Sequence, residues 1–324
     1  MYASWPGNER FFFRGRVVAG VTPRNALFTS LLIAGPGIAF AHLVSARASA
    51  RFGTWITAFA YALLAFVLFW LFRCALSDPG ILPRIKRVEN TTQGMTERER
   101  RAKTREGVAL ATKKRATARW NETCGYYQPL RAHHCSVTND CIEKFDHHCP
   151  WTGATIGARN YRAFLIFVMS CAAYAAYVCA ICAIVIEDGS KHRDVERAMA
   201  SSWMPLVLLV YASIGLTFVG ALMCFHCYLV ATNQTTYESF RDGYSWDANP
   251  FNRGSVWKNC GEVWCGKIPR ARIKFYAFVD EDTSAEEFAR ELEENERLEA
   301  EALLELERAE FDDAERGSEL DDVL

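Results

Sequence analysis

Four long apolar segments constrain the fold of this 324-residue chain more than any other feature of its sequence. They cover residues 26–46, 55–76, 161–186 and 203–231. Half of all residues are hydrophobic, as in many large soluble domains, but here they are concentrated in these runs. Each run is close to or above the ~20 residues that cross the hydrocarbon core of a bilayer. The sequence therefore predicts an all-α polytopic membrane protein with four transmembrane helices, two within residues 26–76 and two within 161–231.

The first apolar segment is interrupted by Gly35, Pro36 and Gly37. Transmembrane helices tolerate both residue types, so we still expect it to span the bilayer. The segment follows a basic stretch, residues 10–24, and no obvious small-residue cleavage site accompanies it. We interpret it as an uncleaved anchor preceded by a cytosolic N-terminal segment, residues 1–25.

The distribution of Lys and Arg predicts the orientation of the chain. The long loop 77–160 carries a dense set of them, whereas the first short connection, 47–54, has only Arg47 and Arg51. The second short connection, 187–202, carries both signs of charge and weakens this bias without reversing it. Because basic loops stay on the cytosolic side, we expect the long loop and both termini in the cytosol. Thiols persist in that reducing compartment and disulfides do not.

The long loop divides into two parts of different composition. Residues 77–119 form a basic linker whose segment 89–119 is short of large apolar residues. That composition predicts a solvated helix or linker, with contact to anionic lipid as the alternative. Residues 120–160 are rich in Cys, His, Pro and aromatic side chains and are too few for a hydrophobic core of their own. Segments of this kind usually need a bound metal for stability.

The chemistry of the chain is concentrated in residues 146–151, Asp-His-His-Cys-Pro-Trp. Cys149 is the candidate nucleophile. A free thiol has a pKa near ~8.5, and a neighbouring imidazole such as His147 can take its proton while Asp146 orients the ring. The alternative is that the two His and the Cys are metal ligands.

Five further groups of residues accompany this segment. They are Cys124 with His134, Cys135 and Cys141; residues 157–164; Asp78-Pro79-Gly80; Thr235-Thr236-Tyr237-Glu238; and Asn249-Pro250-Phe251 with Gly254 and Asn259. Taken singly, the last three are turn or helix-cap signals. Together, in this order and around a four-span layout, they resemble the DHHC protein S-acyltransferases, or palmitoyltransferases, from about residue 26 to about residue 263.

The resemblance implies a reaction and the residues that perform it. Cys149 would attack the thioester of a long-chain acyl-CoA such as palmitoyl-CoA, with His147 as general base and Asp146 orienting it. The acyl-enzyme would then pass its chain to a cysteine of a membrane-associated protein. The implied partners are acyl-CoA, these substrate proteins and the lipid bilayer, and no nucleic acid. Tyr174 falls where the family can close the acyl cavity, or else is an ordinary packing residue of the third span.

Zinc binding is where the chain departs from the family. The resemblance implies two zinc ions, each held by three Cys and one His, but three of the expected cysteine positions hold Asn121, Thr138 and Thr155. The first site would keep Cys124, His134 and Cys141, completed by Asn121, His133 or water. The second would keep only Cys135 and His148. Since a structural zinc prefers four N or S ligands, we expect at most one structural zinc, and His148 then has a structural, hydrogen-bonding role.

Several other residues have more than one interpretation. Arg131, Lys144 and Arg159 are candidates to pair with CoA phosphates, or are solvated or lipid-facing. His226 is expected to pack or hydrogen-bond rather than react. Cys224 and Cys227 are expected to be packing residues of the fourth span, with lipidation as the alternative.

The C-terminal part contains residues 232–279, with the Thr-Thr-Tyr-Glu and Asn-Pro-Phe motifs, and a strongly acidic tail, 280–324. We expect the tail to be a solvated, partly helical extension, with a docking surface for basic partners as the alternative. The whole pattern predicts a multi-pass S-acyltransferase of the endomembrane system (Golgi or ER) or plasma membrane. The reduced cysteine set leaves a second hypothesis, a catalytically weak relative that acts as a membrane scaffold or partner subunit.

Overall fold

The computed structural model describes residues 2–85, 104–190, 195–277 and 284–321. Within these ranges it has four helices long and apolar enough to cross a membrane, Pro23–Phe52, Trp55–Ala75, Tyr161–Gly189 and Trp203–Thr232. The prediction of a four-span, mainly helical membrane protein is confirmed, and the cysteine-rich region lies between the second and third spans.

The helices and strands are defined as follows. The helices are α1 (Pro23–Ala39), α2 (Ala46–Phe52), α3 (Trp55–Ala75), α4 (Tyr161–Ser190), α5 (Val195–Thr232), α6 (Thr236–Arg241), α7 (Val256–Trp264) and α8 (Ser284–Asp321). The strands are β1 (Arg10–Phe12), β2 (Val17–Ala19), β3 (Thr104–Ala109), β4 (Lys114–Asn121), β5 (Tyr126–Tyr127), β6 (His133–Cys135), β7 (Asp140–Ile142), β8 (His147–Cys149) and β9 (Ala154–Ile156).

The Gly-Pro-Gly break does not end the first span. Pro36 lies inside α1, and a π-helical turn, Phe40–Ser45, joins α1 to α2. A proline lacks the N–H that an α-helix needs, and a π turn is one way in which the helix continues beyond such a defect. Residues 47–52, predicted as part of a connecting hairpin, are helical instead, and the connection shrinks to Gly53 and Thr54.

The spans pack around one buried cluster and present apolar side chains outward. Leu71 and Phe164 are fully buried in that cluster, and Tyr177 on α4 donates a hydrogen bond to Ile56 O on α3 at 2.8 Å. On the outer surfaces, Leu31 is 70% exposed and Ile214 is 69% exposed. Exposed apolar surface of this extent is unusual in water and fits contact with lipid.

The basic linker differs from its prediction as a solvated helix or linker. Where it is described, it folds into an antiparallel hairpin, with β3 paired to β4 and β5 added beyond β4. Burial alternates along β4, because Ala116 and Ala118 point inward while Arg115, Thr117 and Arg119 point outward. Alternation of this kind is the period of a half-buried strand. The small size of the buried alanines concealed it in the sequence.

The acidic tail is also not simply solvated. It forms the long helix α8, whose Phe288 and Leu292 are buried against Cys124 and Cys141, and Phe288 packs edge-on to Tyr126 at 5.3 Å. Further along α8, acidic side chains pair with the β3–β4 hairpin, Glu305 with Lys113 at 3.4 Å and Glu310 with Arg115 at 2.9 Å. The basic partner of the tail therefore includes a hairpin of the same chain.

Candidate active site

The candidate nucleophile lies on a short hairpin that packs against the N-terminal part of the first span. Strand β8 pairs with β9 in the register His147↔Ile156, His148↔Thr155 and Cys149↔Ala154. Gly153 closes the turn with φ +67°, and a Cβ there would come within 2.1 Å of Thr22 O. Only glycine satisfies both requirements, so the turn can lie against the chain that enters α1.

Two side chains of α1 hold the turn directly. Asn25 Nδ2 donates to Pro150 O at 2.8 Å, and Thr29 Oγ1 donates to Trp151 O at 2.7 Å. Neither residue was singled out in the sequence, where each resembles an ordinary polar residue near a helix start. These bonds fix the position of Cys149 relative to the first span.

Asp146, His147 and Cys149 come together as a connected group. His147 Nδ1 donates to Asp146 Oδ2 at 2.6 Å, and the His147 ring also interacts with the Cys149 thiol. Asp146 and Cys149 are buried, and His147 is partly exposed. An imidazole placed between a carboxylate and a thiol is the arrangement needed to ionise a cysteine.

The pKa values of the three groups follow from this contact. Burial alone would raise the pKa of Cys149, but the hydrogen bond and charge of His147 bring that pKa below its usual value. Burial alone would lower the pKa of His147, but Asp146 and Cys149 raise it to about 9. Burial opposes ionisation of Asp146 too, yet His147 keeps its pKa below the usual value. All three shifts favour the ionised form of Cys149 and Asp146 beside a protonated His147.

The Thr-Thr-Tyr-Glu motif, which follows the fourth span in sequence, contacts this group directly. Thr236 holds Asp146 with two hydrogen bonds, from its N–H to Oδ1 at 2.9 Å and from its hydroxyl to Oδ2 at 2.8 Å. Thr235 and Glu238 form a reciprocal capping box at the start of α6. The motif thus fixes the carboxylate that orients His147.

His226 on α5 lies closer to the site than the sequence indicated. Its ring centroid is 6.0 Å from that of His147, and its Nδ1 lies 3.1 Å from the Tyr161 hydroxyl. Phe164 packs edge-on against both imidazoles, at 5.1 Å from His147 and 5.0 Å from His226. His226 packs and hydrogen-bonds, as expected, and together with Phe164 forms the wall behind the His147 imidazole. Its spacing along α5 carried no signal that could have placed it there.

An apolar cavity of about 660 Å³ opens beside Cys149. Its walls come from α1, α4 and α5, and Cys149 and Trp151 line one part of it. Tyr174 also lines it, ten residues beyond Phe164 on α4, or ~15 Å further along the helix axis. The Tyr174 hydroxyl donates to Gly37 O on α1 at 3.3 Å, so this side chain links α4 to α1 at the wall of the cavity.

Cys124, His134 and Cys141 converge, as the resemblance implied. Their ligand atoms lie within 4.8 Å of one another, a set that could hold a metal ion. The structure joins Cys124 to Cys141 in a disulfide, with His134 Nδ1 3.6 and 3.9 Å from the two sulfurs. The expectation of free thiols is therefore wrong for this pair. Two thiolates on one zinc would instead stand roughly 3.8 Å apart, given Zn–S bonds of ~2.3 Å, so disulfide and metal exclude each other.

The fourth ligand position of this cluster is not filled by the residues considered from the sequence. Asn121 Oδ1 accepts a hydrogen bond from Cys124 N at 3.0 Å, which uses the side chain in a turn. His133 stacks on Tyr237 at 4.1 Å, away from the cluster. The buried polar side chain that does reach it is Gln128, whose amide lies 3.3 Å from the Cys141 sulfur. Two sulfurs and an imidazole thus fit three corners of a zinc site.

At the second zinc site expected from the family, a threonine hydroxyl stands between the remaining cysteine and histidine. Thr155 Oγ1 lies 3.1 Å from His148 Nδ1 and 3.4 Å from the Cys135 sulfur. Thr138 is buried nearby. One sulfur and one imidazole joined through a hydroxyl do not fit a structural zinc ion, which requires four N or S ligands.

The three basic residues considered for CoA phosphates are each paired with a carboxylate of this chain. Arg131 forms a two-pronged pair with Glu238, both contacts at 2.8 Å. Lys144 pairs with Glu262 at 3.2 Å, and Arg159 pairs with Asp78 of the Asp-Pro-Gly turn at 3.0 Å. All three therefore have carboxylate partners within this chain.

Comparison with known proteins agrees with this arrangement. The family model of the DHHC palmitoyltransferases matches residues 114–243, which include Asp146, His147 and Cys149. Protein S-acyltransferase 8 of Arabidopsis thaliana is 35% identical over 300 residues, covering 87% of this chain and 73% of the relative. Probable protein S-acyltransferases 5 and 7 of the same plant are each 36% identical. Both alignments cover 87% of this chain, and they cover 62% and 66% of the relatives.

Proposed function

The chain belongs to the DHHC palmitoyltransferase family and is a protein-cysteine acyltransferase, and from that premise we propose how it works. A long-chain acyl group moves from acyl-CoA to Cys149 and then to a cysteine of a membrane-associated protein. The observation that carries this proposal is the position of Cys149, which contacts the Asp146–His147 pair on one side and an apolar cavity on the other.

The first half-reaction uses the thiolate–imidazolium pair. The Cys149 thiolate attacks the thioester carbonyl carbon of acyl-CoA, and collapse of the tetrahedral intermediate breaks the bond to the CoA sulfur. The departing CoA thiolate takes the proton that His147 holds. Asp146 stays ionised throughout and keeps the His147 ring in place. The products are free CoA thiol and an acyl thioester on Cys149.

The second half-reaction runs the same proton path in reverse. His147, now neutral, accepts the proton of the substrate cysteine, whose sulfur attacks the Cys149 thioester. The acyl group leaves with the substrate sulfur, and Cys149 returns as a thiolate beside protonated His147. One thioester is exchanged for another, so no external source of energy is needed.

The apolar cavity would hold the acyl chain during both steps. Each buried methylene contributes ~0.8 kcal/mol, so a palmitoyl chain gains on the order of ten kcal/mol by leaving water. We propose that Tyr174, which lines the cavity, narrows its deep part and sets the preferred chain length. The hydroxyl of Tyr174, bonded to Gly37 O, keeps the ring across that end.

The supporting features of the site have structural roles in this proposal. Cys124, His134 and Cys141 would hold one zinc ion when reduced, which would crosslink the cysteine-rich region without entering the reaction. The excess of Lys and Arg in the loop 77–160 supports a cytosolic active site with both termini on the same side. A cytosolic site in the endomembrane system or plasma membrane would give Cys149 access to acyl-CoA and to membrane-proximal cysteines.

Labelled palmitoyl-CoA tests the assignment of the nucleophile. The purified chain should form a hydroxylamine-sensitive adduct, and Cys149→Ser should lose it. Cys171→Ser is the matched control, because Cys171 also lines the cavity but lies away from His147. An undiminished, hydroxylamine-sensitive adduct in Cys149→Ser would contradict the assignment. Absence of any adduct on the parent protein would favour the scaffold hypothesis.

A further inference from the structure

Thr155 occupies a central place in the region where a second zinc ion would be expected. It lies on β9, is almost fully buried, and its hydroxyl oxygen contacts both remaining ligand atoms, His148 Nδ1 and the Cys135 sulfur. A hydroxyl can accept one hydrogen bond and donate another. Donation by His148 Nδ1–H to Thr155 and by the Thr155 hydroxyl to sulfur satisfies all three groups without a metal.

This hydrogen-bonded bridge joins two separate hairpins. Cys135 belongs to the β6–β7 hairpin, whereas His148 and Thr155 are cross-strand partners in the β8–β9 hairpin that carries Cys149. The next pair in that register is Cys149 with Ala154. The main chain of Thr155 is also held, because Asn160 Nδ2 donates to Thr155 O at 2.9 Å. Thr155 therefore links the catalytic hairpin to its neighbour and to the start of α4.

We propose that the Thr155 hydroxyl replaces a metal ion as the crosslink that positions the catalytic hairpin. Thr155 is then a positioning residue, which acts on Cys149 through His148. The proposal extends the function above, from which it takes only the role of Cys149. It means that this chain folds its active site around a hydrogen bond where a relative with the full ligand set uses a metal, and that chelators do not disturb this crosslink.

The same geometry suggests how a zinc ion could be introduced as the crosslink. Thr138 and Thr155 stand at two of the family's cysteine positions and are both buried beside Cys135. Replacing them in the double variant Thr138→Cys/Thr155→Cys would supply three sulfurs and one imidazole, a complete structural zinc set. The added ion should then take over the task of the hydroxyl.

Three variants test the proposal in the full-length, detergent-purified chain. Thr155→Val keeps the shape but removes the hydroxyl, and it should slow acyl-enzyme formation about ten-fold or more because the buried Cys135 sulfur and the partly buried His148 ring lose this partner. Thr155→Ser keeps the hydroxyl and should stay within about two-fold of the parent rate. The double-cysteine variant should bind one more zinc per chain than the parent, by elemental analysis, and its rate should become sensitive to chelator.

Each outcome decides the question. The proposal would be overturned if Thr155→Val formed the acyl-enzyme as fast as the parent protein. A second tightly bound zinc in the parent protein would overturn it as well. Failure of the double-cysteine variant to gain zinc would do the same. If Thr155→Val does not fold, the serine and double-cysteine variants still decide it. The zinc content does not depend on Cys149 chemistry, so a failure of the proposed function is recognised separately, by a parent protein that forms no acyl adduct.

Discussion

Replacing Asp146 with Asn should make the rate of acyl-enzyme formation strongly dependent on pH. Asp146 contributes to the raised pKa of His147, about 9, so the imidazolium is present below that pH and is lost as pH rises through it. Without the carboxylate we expect the pKa to return towards ~6.5. Near pH 8 the protonated fraction of His147 then falls from about 90% to about 3%, a loss of about thirty-fold. Near pH 6 both proteins are mostly protonated, so this loss nearly disappears.

The assay measures single-turnover labelling of Cys149 by palmitoyl-CoA at a series of pH values, with each variant checked for monodispersity in detergent. The ratio of parent to Asp146→Asn rates should rise about twenty-fold between pH 6 and pH 8, in addition to any pH-independent loss from a misoriented ring. Asp242→Asn serves as the control, because Asp242 pairs with Arg119 outside the site and its loss should leave the profile unchanged.

A flat ratio across this range would refute the account of His147. It would mean that Asp146 does not support the imidazolium, and that the 2.6 Å contact between the two side chains orients the ring without changing its protonation. A ratio that falls as pH rises would also contradict this account, because the carboxylate would then lower the pKa of His147 instead of raising it.

Two further predictions address the cavity and the ion pairs. Tyr174→Ala should open the deep part of the cavity and shift the preference between stearoyl-CoA and palmitoyl-CoA by about fifteen-fold towards stearoyl, since two added methylenes gain ~1.6 kcal/mol. An unchanged ratio in that competition would contradict the role, and Tyr177→Ala is the control because Tyr177 bonds Ile56 O and does not line the cavity. Arg131→Met should destabilise the fold by about 3–5 kcal/mol, because it leaves the Glu238 carboxylate buried and unpaired, and Arg131→Met/Glu238→Gln should recover part of that loss. Thermal unfolding followed by size exclusion measures the stability of these two Arg131 variants. Equal stability of Arg131→Met and the parent protein would show that the Arg131–Glu238 ion pair contributes nothing.

The spans and the catalytic segment were predictable because their signals are local. Length and hydropathy define a membrane helix, and Asp146, His147 and Cys149 are so close in sequence that a hairpin brings them together. The partners of these residues were not predictable in the same way. Thr236 reaches Asp146 from ninety residues away, and nothing in its neighbourhood identifies the carboxylate it binds. The sequence resemblance identified the motif, and its contacts explain why the motif is needed.

The errors have physical causes as well. The β3–β4 hairpin was missed because the inward positions of β4 are alanines, which give little hydrophobic contrast against the outward Arg and Thr. The tail helix α8 was expected to be solvated because its composition is acidic. Phe288 and Leu292 turn towards the cysteine-rich region, but the apolar residues of the tail are irregularly spaced and do not show which of them are buried. Arg131 appeared available for phosphates because its partner Glu238 lies on the far side of two spans in the sequence.

The bond between Thr236 and Asp146 also bears on how the protein is made. Thr236 follows the fourth span, so it can reach Asp146 only after the whole of that span has emerged from the ribosome. Until then Asp146 lacks two of its donors, and the turn after Cys149 depends on Asn25 and Thr29 of a first span already in place. A nascent or partly inserted chain therefore carries an incomplete catalytic group. Assembly of the Asp146–His147–Cys149 group therefore depends on both the first span and the segment that follows the last one.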